Sequence, residues 1–288
     1  MPKPESWPLV TLSLSNGITR IFSDVHYGDR ASRVQTLSQL TPLLDGADRI
    51  VLNGDSVDTR HGPYPQRTAD LRAETLDFFA RRHPATVLLT GNHDPEISAL
   101  HTLELGAARV FVTHGDVIFD DIVPWGRDAP AIRAHLAAAH EAAPHLDYTV
   151  LETRLSLFRK VCAALPQRHQ AESDRWKYFL SFAADTFWPP LRVTQVLRAW
   201  YEAPRRAAAL LRTHRPAARF VVLGHVHRPG IWRSPHGSII INTGSFCPPL
   251  GASVVDLGPE RLTVRSVEFR RGAFHAGAVQ AEFALADP

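Results

Sequence analysis

Five short runs rich in β-branched residues each end directly in a polar cluster. The runs cover residues 18–22, 49–52, 86–90, 110–113 and 220–223. Between the early runs, 31–44 and 68–82 carry apolar residues at helical spacing, which predicts helices there. Alternation of strand and helix is typical of βαβ units, so we predict an α/β fold with a largely parallel sheet.

The C-terminal third has a different pattern. Residues 238–242, 252–257 and 261–269 are strand-like and are separated by Gly and Pro turns, with little room for helices. We therefore predict that these strands form a second sheet.

The middle of the chain, 131–216, is rich in Ala, Leu, Arg and aromatic residues and is interrupted by prolines. This pattern predicts a helical insertion between two core strands. The predicted organisation is a core in two parts, 1–130 and 217–288, with the insertion at 131–216. Between 131 and 218 there are 13 Lys and Arg against 7 Asp and Glu, which favours an anionic partner or a solvated helical face.

Metal-ligating residue types follow each of the five runs. They are Asp24 and His26, Asp55 and Asp58, Asn92 and His93, His114, and His225 and His227. Polar groups at the ends of several strands converge in one crevice of an α/β sheet. Carboxylate and imidazole ligands together suit Mn, Fe, Zn or Co. The order of all five clusters predicts a metal centre, although each cluster alone is weak evidence.

These motifs, D-x-H, GD-x-x-D, GNHD, HG and GH-x-H, resemble those of the calcineurin-like metallophosphoesterases. The resemblance implies a four-layer αββα sandwich of two mixed β-sheets carrying the insertion. It also implies two divalent cations, manganese foremost, with His93 as a catalytic imidazole that is not a ligand. The implied ligands are Asp24, His26 and His227 for one cation, Asn92, His114 and His225 for the other, and Asp55 as the bridge.

Such a pair of cations is expected to hydrolyse a phosphate ester or pyrophosphate by attack of a shared hydroxide. A protonated His93 would deliver a proton to the leaving group. Asp58 is predicted to accept a hydrogen bond from His93 and raise the pKa of its imidazole, with a turn cap as the alternative.

Three further residues are candidates for substrate binding. Arg60 and His61 lie in the loop after Asp55, where a cation could meet a phosphate; the alternative is an exposed loop. Arg228 follows the last motif and is expected to contact a phosphate or a headgroup, with a surface ion pair as the alternative. Asp116 is expected to orient His114 or a turn.

Motif detail points to one branch of the family. Asp120-Asp121 after the HGD string, and Arg228-Pro229 after GH-x-H, look like the UDP-2,3-diacylglucosamine pyrophosphohydrolases. That branch has Arg where this chain has His93, and its insertion is shorter. The resemblance therefore suggests a nucleotide-linked or lipid-linked substrate.

The aromatic residues of the insertion, Trp176 and Trp188 among them, are interspersed with Arg and Lys. This mixture suits a lipid-bearing phosphate and peripheral contact with a membrane; the alternative is an insertion core or an oligomer interface. Two other functions stay open: a nuclease or other phosphodiesterase of the same fold, which would require a basic groove for nucleic acid, and a metal-binding scaffold without activity.

Composition bears on the compartment. Only two cysteines are present, Cys162 and Cys247, without a framework spacing, and the N-terminus shows no export signal. We therefore expect free thiols and a cytoplasmic protein, with peripheral contact of the insertion with a membrane as a further expectation.

Overall fold

Two six-stranded β-sheets face each other in the computed structural model, which describes residues 10–13, 17–83, 85–167 and 191–285. Sheet 1 contains β2 (Thr19–Phe22), β3 (Arg49–Asn53), β4 (Thr86–Leu89), β10 (Ser253–Leu257), β11 (Arg261–Arg270) and β12 (Ala273–Ala284). Sheet 2 contains β1 (Val10–Leu12), β5 (Thr102–Leu105), β6 (Val110–Thr113), β7 (Phe220–Leu223), β8 (Gly230–Arg233) and β9 (Ile239–Asn242). Their strand orders are β12-β11-β10-β2-β3-β4 and β1-β5-β6-β7-β9-β8.

Both sheets are mixed. Strands β2, β3 and β4 run parallel, as do β6, β7 and β9, so the central strands of each sheet follow the predicted parallel pattern. The prediction that the C-terminal strands form a sheet of their own is wrong. Strand β10 pairs antiparallel with β2, and β11 and β12 extend sheet 1 from there, while β9 pairs with β7 of sheet 2. One edge of β2 and one edge of β7 need partners, and these later strands supply them.

The helices cover the outer faces of both sheets. A 3₁₀ turn (Leu37–Leu40), α1 (Thr41–Leu44) and α2 (Pro65–Arg82) pack on sheet 1 through residues such as Leu40, Leu43 and Phe79. The predicted helix at 31–44 is confined to its second half, because Thr36 and Gln39 form a capping box that starts the helical turn only at Leu37. The layers are therefore α, β, β, α, as the resemblance implies.

The core between the sheets is aliphatic. Ile21, Val51 and Leu89 of sheet 1 meet Val112 and Val222 of sheet 2, all fully or almost fully buried. Burying one such side chain stabilises the fold by about 1.5–3 kcal/mol. This packing fixes the two sheets against each other, and hence the positions of their strand ends.

The region between β6 and β7 holds a 3₁₀ turn (Asp116–Ile118) and the helices α3 (Ala129–Ala142), α4 (Leu151–Ala164) and α5 (Leu191–His214). Helix α5 packs on the outer face of sheet 2 through Ala203, Ala207 and Leu211. Arg215, just beyond α5, pairs with Glu104 of β5 at 2.8 Å and Glu152 of α4 at 2.5 Å. The helices between β6 and β7 are thus packed against sheet 2 and linked to it by ion pairs.

The predicted aromatic contacts of Trp176 and Trp188 lie outside the described residues. No described helix combines the length and apolar character needed to cross a membrane.

Candidate metal centre

The carboxyl ends of the central strands of both sheets meet at one edge of the sandwich. The predicted ligands stand just after β2, β3 and β4 of sheet 1 and after β6 and β7 of sheet 2. Parallel strands bring their carboxyl ends to the same edge, so residues far apart in sequence become neighbours there.

The first group of predicted ligands is Asp24, His26 and His227. The Nε2 atom of His227 lies 3.1 Å from Oδ1 of Asp24 and 3.1 Å from Nε2 of His26. The Nε2 atom of His26 is 3.8 Å from the same carboxylate oxygen. Three donor atoms of the types that bind divalent transition metals thus surround one point.

The second group is formed by Asn92, His114 and His225. Oδ1 of Asn92 lies 3.2 Å from Nε2 of His114 and 2.8 Å from Nδ1 of His225. The carboxylate of Asp55 stands between the groups, because its Oδ2 is 3.3 Å from Nε2 of His114 and 3.7 Å from Nε2 of His26. The Asp55 carboxylate therefore lies within reach of a nitrogen from each group.

Hydrogen bonds fix the ring nitrogens that face the cluster. Nδ1 of His114 donates to the carbonyl oxygen of Asn53 at 2.9 Å, and Nε2 of His225 donates to that of Ile122 at 2.8 Å. The other nitrogen of each ring faces the ligand group and would bind a cation through its lone pair. Burial opposes protonation of His114, but the Asp55 carboxylate raises its pKa well above the usual value while no cation is bound. Burial and the neighbouring His114 lower the pKa of His225 to about 3, which keeps that ring neutral.

The electrostatics of the cluster also favour cations. Burial disfavours the ionised forms of Asp24 and Asp55, but the surrounding histidines bring the pKa of both carboxyls below the usual range. Burial likewise opposes protonation of His26, yet the two carboxylates raise its pKa to about 9. Buried carboxylates thus draw positive charge to this point, and a divalent cation supplies such charge. The donor set fits the metals that the sequence predicts.

Five residues of the ligand set have left-handed backbone conformations. Asp24, His26, Asp55, His225 and His227 have φ values between 49° and 71°. They account for five of the nine non-glycine residues with positive φ in the described part of the chain. Such conformations cost about 1–3 kcal/mol each and concentrate at functional sites. These left-handed conformations produce sharp turns, which direct the side chains of one short segment toward the same point.

Two glycines permit the close approach of the ligand loops. A Cβ atom at Gly91 would lie 2.6 Å from the backbone nitrogen of Asp55 and closer still to the Asp55 carboxylate. A Cβ atom at Gly224 would collide with the side chains of Ser23 and Asp24. Gly91 directly precedes Asn92 in the sequence, and Gly224 directly precedes His225.

Gly91→Ala is expected to displace Asp55 and to lower both metal content and hydrolytic activity by at least about tenfold, since a contact below 3 Å with backbone cannot be relieved by a rotamer change. Metal analysis and activity assays on the purified variant test this. Gly237→Ala is the matched control, because a Cβ there meets no atom within 4 Å, although its φ of +88° carries some strain. Metal loss in Gly237→Ala as well would show that general destabilisation is the cause.

Asp94 has a role that the sequence reasoning missed. Its carboxylate accepts hydrogen bonds from the backbone nitrogens of Gly91 (2.7 Å), Asp55 (2.9 Å) and Ser56 (2.7 Å). Burial and the nearby Asp55 raise the pKa of Asp94 to about 7. One side chain thus joins the loop after β3 to the loop after β4. The only signal in the sequence was its place at the end of the GNHD string.

Asp58, Arg60 and His93 form a connected group beside the metal ligands. Nδ1 of His93 is 3.1 Å from Oδ2 of Asp58, which is the contact predicted for this pair. Arg60 makes a bidentate ion pair with Asp58 at 2.6 Å and 3.0 Å, and its Nη2 lies 2.8 Å from Nδ1 of His93. Burial and the Arg60 charge lower the pKa of His93, so the predicted rise from Asp58 is outweighed.

The three candidates for substrate binding, Arg60, His61 and Arg228, have different surroundings. Arg60 is buried against Asp58 and His93 and does not face an open phosphate site, whereas His61 is exposed. Arg228 stacks over the rings of Trp200 and Trp232, at 5.8 Å and 5.4 Å from their centroids, in a cavity next to the ligands.

Asp116 is buried at the start of its 3₁₀ turn, and its Oδ1 accepts a hydrogen bond from the backbone nitrogen of Val117. Burial raises its pKa. Asp120 pairs with Arg154 and Arg206 on the surface, and Asp121 pairs with Arg133.

The ligands open into a cleft of about 230 Å³. Asp55, Asn92, His93, His225 and His227 form its floor, and its walls include residues that the sequence assigned to the insertion or its approach: Val123, Trp125, Val196 and Trp200. The indole of Trp125 lies 5.3 Å from the ring of His225. The insertion therefore contributes one wall of the cleft.

Comparison with known proteins agrees with this geometry. The chain belongs to the calcineurin-like phosphoesterase family, because the model of that family matches residues 20–229, well over half of its length. A search of the curated proteins gave no match.

Solved structures similar to this chain include a cold-active protein-tyrosine phosphatase from a psychrophilic Shewanella (14% identity, 95% of this chain and 84% of that chain, TM-score 0.44). A dimetal phosphatase from Danio rerio is 13% identical over 87% and 96% of the two chains, with a TM-score of 0.41. Vps29 from Entamoeba histolytica, solved with Zn²⁺, is 12% identical over 93% and 99%, with a TM-score of 0.40.

Proposed function

We propose that the protein is a dinuclear-metal phosphoesterase that hydrolyses a phosphate ester or a pyrophosphate. The observation that carries the proposal is the position of Asp55, whose carboxylate lies within 3.7 Å of a ligand nitrogen from each of the two groups. When bound, two divalent cations, manganese foremost, lower the pKa of a water molecule and hold the phosphate oxygens.

The residues of the site have distinct roles in this proposal. Asp24, His26 and His227 hold one cation, Asn92, His114 and His225 hold the other, and Asp55 joins them. His93 lines the cleft and, in its protonated form, would deliver a proton to the leaving oxygen through the nitrogen that does not contact Arg60 and Asp58. Burial and the charge of Arg60 lower the pKa of this ring, so the proton-donating form is populated more as the pH falls. Arg60 thus acts as a positioning residue in place of the predicted phosphate contact.

The proposed substrate is more specific than family membership alone implies. The UDP-2,3-diacylglucosamine pyrophosphohydrolase-like branch rests on the motif details around Asp120 and Arg228, and the insertion wall of the cleft supports a substrate larger than a simple phosphate. A catalytically inert scaffold is disfavoured because all the predicted ligands lie together. Asp24, His26, Asp55, His114 and His227 belong to groups that could hold an ion, and Asn92 contacts both His114 and His225.

A substrate panel with Mn²⁺ tests the proposal. The panel contains p-nitrophenyl phosphate, bis-p-nitrophenyl phosphate, UDP-sugars and acylated UDP-glucosamine. We expect metal-dependent release of p-nitrophenol from at least one chromogenic ester, and its loss with EDTA. Turnover of none of these compounds by protein with two bound metal ions would contradict the proposal, and preference for acylated UDP-glucosamine would support the lipid-linked branch.

If the insertion forms part of the substrate site, a larger side chain in its wall of the cleft is expected to weaken the binding of large substrates more than that of small ones. Val196→Trp is expected to raise KM for bis-p-nitrophenyl phosphate several-fold more than for p-nitrophenyl phosphate, because the added indole removes space in a cleft of about 230 Å³. Leu197→Trp is the matched control, since Leu197 is 53% exposed and does not line the cleft. Equal effects of the two variants would contradict a role of this wall in substrate binding.

A further inference from the structure

A groove extends from the metal cleft along helix α5. Trp200 lines both the metal cleft and a second cavity of about 330 Å³. Ala208 and Arg233 line both this cavity and a third one of about 500 Å³. The three cavities are therefore neighbours in a row, and we call the second and third together the arginine groove.

The groove follows one face of α5. The residues of α5 that line the row of three cavities, Val196, Trp200, Pro204, Ala208 and Leu211, recur at intervals of three or four, which is the spacing of a single helical face. From Val196 to Arg215 the axial rise is about 28 Å, at about 1.5 Å per residue. Strand β8 and the turn after it form the opposite wall. The row of cavities is long compared with a single phosphate or nucleotide.

Arginines supply the charge of this groove. Arg205, Arg212, Arg228 and Arg233 line it, and none of them has a carboxylate within ion-pair distance among the described residues. Arg215, in contrast, is already paired with Glu104 and Glu152. No Asp or Glu of the described chain lines either cavity. A concave surface with one sign of charge concentrates ligands of the opposite sign.

Aromatic rings lie at the end of the groove next to the metal cleft. Trp200, Tyr201 and Trp232 line the second cavity. Arg228 stacks over both indoles, and Arg205 lies 4.4 Å from the centroid of the Tyr201 ring. The indole nitrogen of Trp200 donates to the carbonyl oxygen of Val226 at 2.8 Å, which holds this ring in place beside His227. Flat rings alternating with guanidinium groups suit a ligand that carries both bases and phosphates.

We propose that the arginine groove binds a single strand of nucleic acid, with its phosphates along Arg205, Arg212, Arg228 and Arg233 and one end in the metal cleft. This inference deepens and rests on the proposed phosphoesterase function, for which it names the substrate class. A mononucleotide would occupy only one of the cavities in the row. The surface of an anionic membrane is flat, whereas the two cavities between α5 and β8 are concave.

Binding is tested by fluorescence anisotropy with a labelled single-stranded 12-mer of thymidines with phosphorothioate linkages, which keep the charge and resist cleavage. The metal-loaded protein is compared with the double variant Arg212→Glu, Arg233→Glu. Both side chains are exposed, so the variant is expected to fold, and its circular dichroism spectrum is compared with that of the wild type to check this. We expect its Kd to rise by at least about tenfold. The magnitude of the negative slope of log K against log salt is expected to decrease by about 0.7 for each arginine replaced.

Two controls make the test specific. Arg81→Glu, Arg133→Glu makes the same charge change at exposed sites outside the groove and is expected to shift Kd by less than about threefold. A 12-mer with neutral methylphosphonate linkages keeps the bases, and its binding is expected to be lost if the arginines recognise phosphates.

The inference is overturned if both double variants bind the 12-mer equally, or if vesicles of phosphatidylglycerol, but not the 12-mer, bind in a manner that depends on Arg212 and Arg233. Hydrolysis of bis-p-nitrophenyl phosphate by the wild-type protein is measured separately. Groove-dependent binding without any such hydrolysis would count against the proposed function alone, and hydrolysis without groove-dependent binding would count against the nucleic-acid strand alone.

Discussion

Asp55→Asn is expected to abolish detectable hydrolysis and to lower the bound metal by at least one equivalent. The asparagine side chain is neutral, and an amide oxygen cannot hold two cations together as a shared carboxylate does. The effect should be the largest of any single change at the site, because Asp55 lies within reach of nitrogens from both ligand groups. Elemental analysis of the purified variant, together with turnover of bis-p-nitrophenyl phosphate, measures both consequences.

Loss of a buried carboxylate also destabilises a protein, so a control is needed. Asp256→Asn removes a buried carboxylate that pairs with Arg20 in sheet 1 at 2.6 Å. We expect this variant to have a lower Tm but a wild-type content of metal at temperatures where it is folded. Near-native turnover of Asp55→Asn with two metal ions still bound would rule out the shared role.

His93→Ala is expected to leave the metal content close to that of the wild type while turnover falls by about 10²–10⁴-fold. The ring lines the cleft, and its inner nitrogen is engaged by Arg60 and Asp58, so its outer nitrogen is available for proton transfer. The loss should be smaller for esters of p-nitrophenol, whose leaving group needs no proton. Asp58→Asn should act in the same direction but more weakly.

Metal analysis decides the interpretation of His93. Its ring also lies within reach of Asp55 and His26, in a group of residues capable of holding an ion. Loss of one metal equivalent in His93→Ala would therefore make His93 a ligand and contradict its role as a proton donor. His83→Ala is a matched control, because His83 is also half-buried but binds a backbone carbonyl oxygen away from the cleft.

The convergence of the predicted ligands could be predicted from the sequence because its two signals, a β-branched run and the polar residues directly after it, are both local. Each ligand follows a β-branched run, and parallel strands bring their ends together whatever the remainder of the fold does. The same reasoning failed for the C-terminal strands. Their sequence predicts strands but not partners, and the choice of β10 to pair with β2 depends on which sheet edge is open, a property of the assembled fold.

The surroundings of the ligands were harder to predict. Arg60 was expected to face a substrate phosphate, yet it turns inward to Asp58 and His93, because the buried Asp58 carboxylate needs a cation. The arginine groove was not predicted either. Its members Arg205, Arg228 and Arg233 belong to α5, to the loop after β7 and to β8, and only tertiary packing places them side by side.

The left-handed backbone at Asp24, His26, Asp55, His225 and His227 sets stability against activity at these five positions. Glycine adopts positive φ without steric cost, so each of these residues, replaced by glycine, would relax its own turn by about 1 kcal/mol while removing a ligand. Selection for stability alone would therefore drive these positions toward glycine. If these residues hold metal ions as proposed, a descendant that no longer required the ions could become more stable as it lost activity, and glycines at these five positions would be the trace of that change.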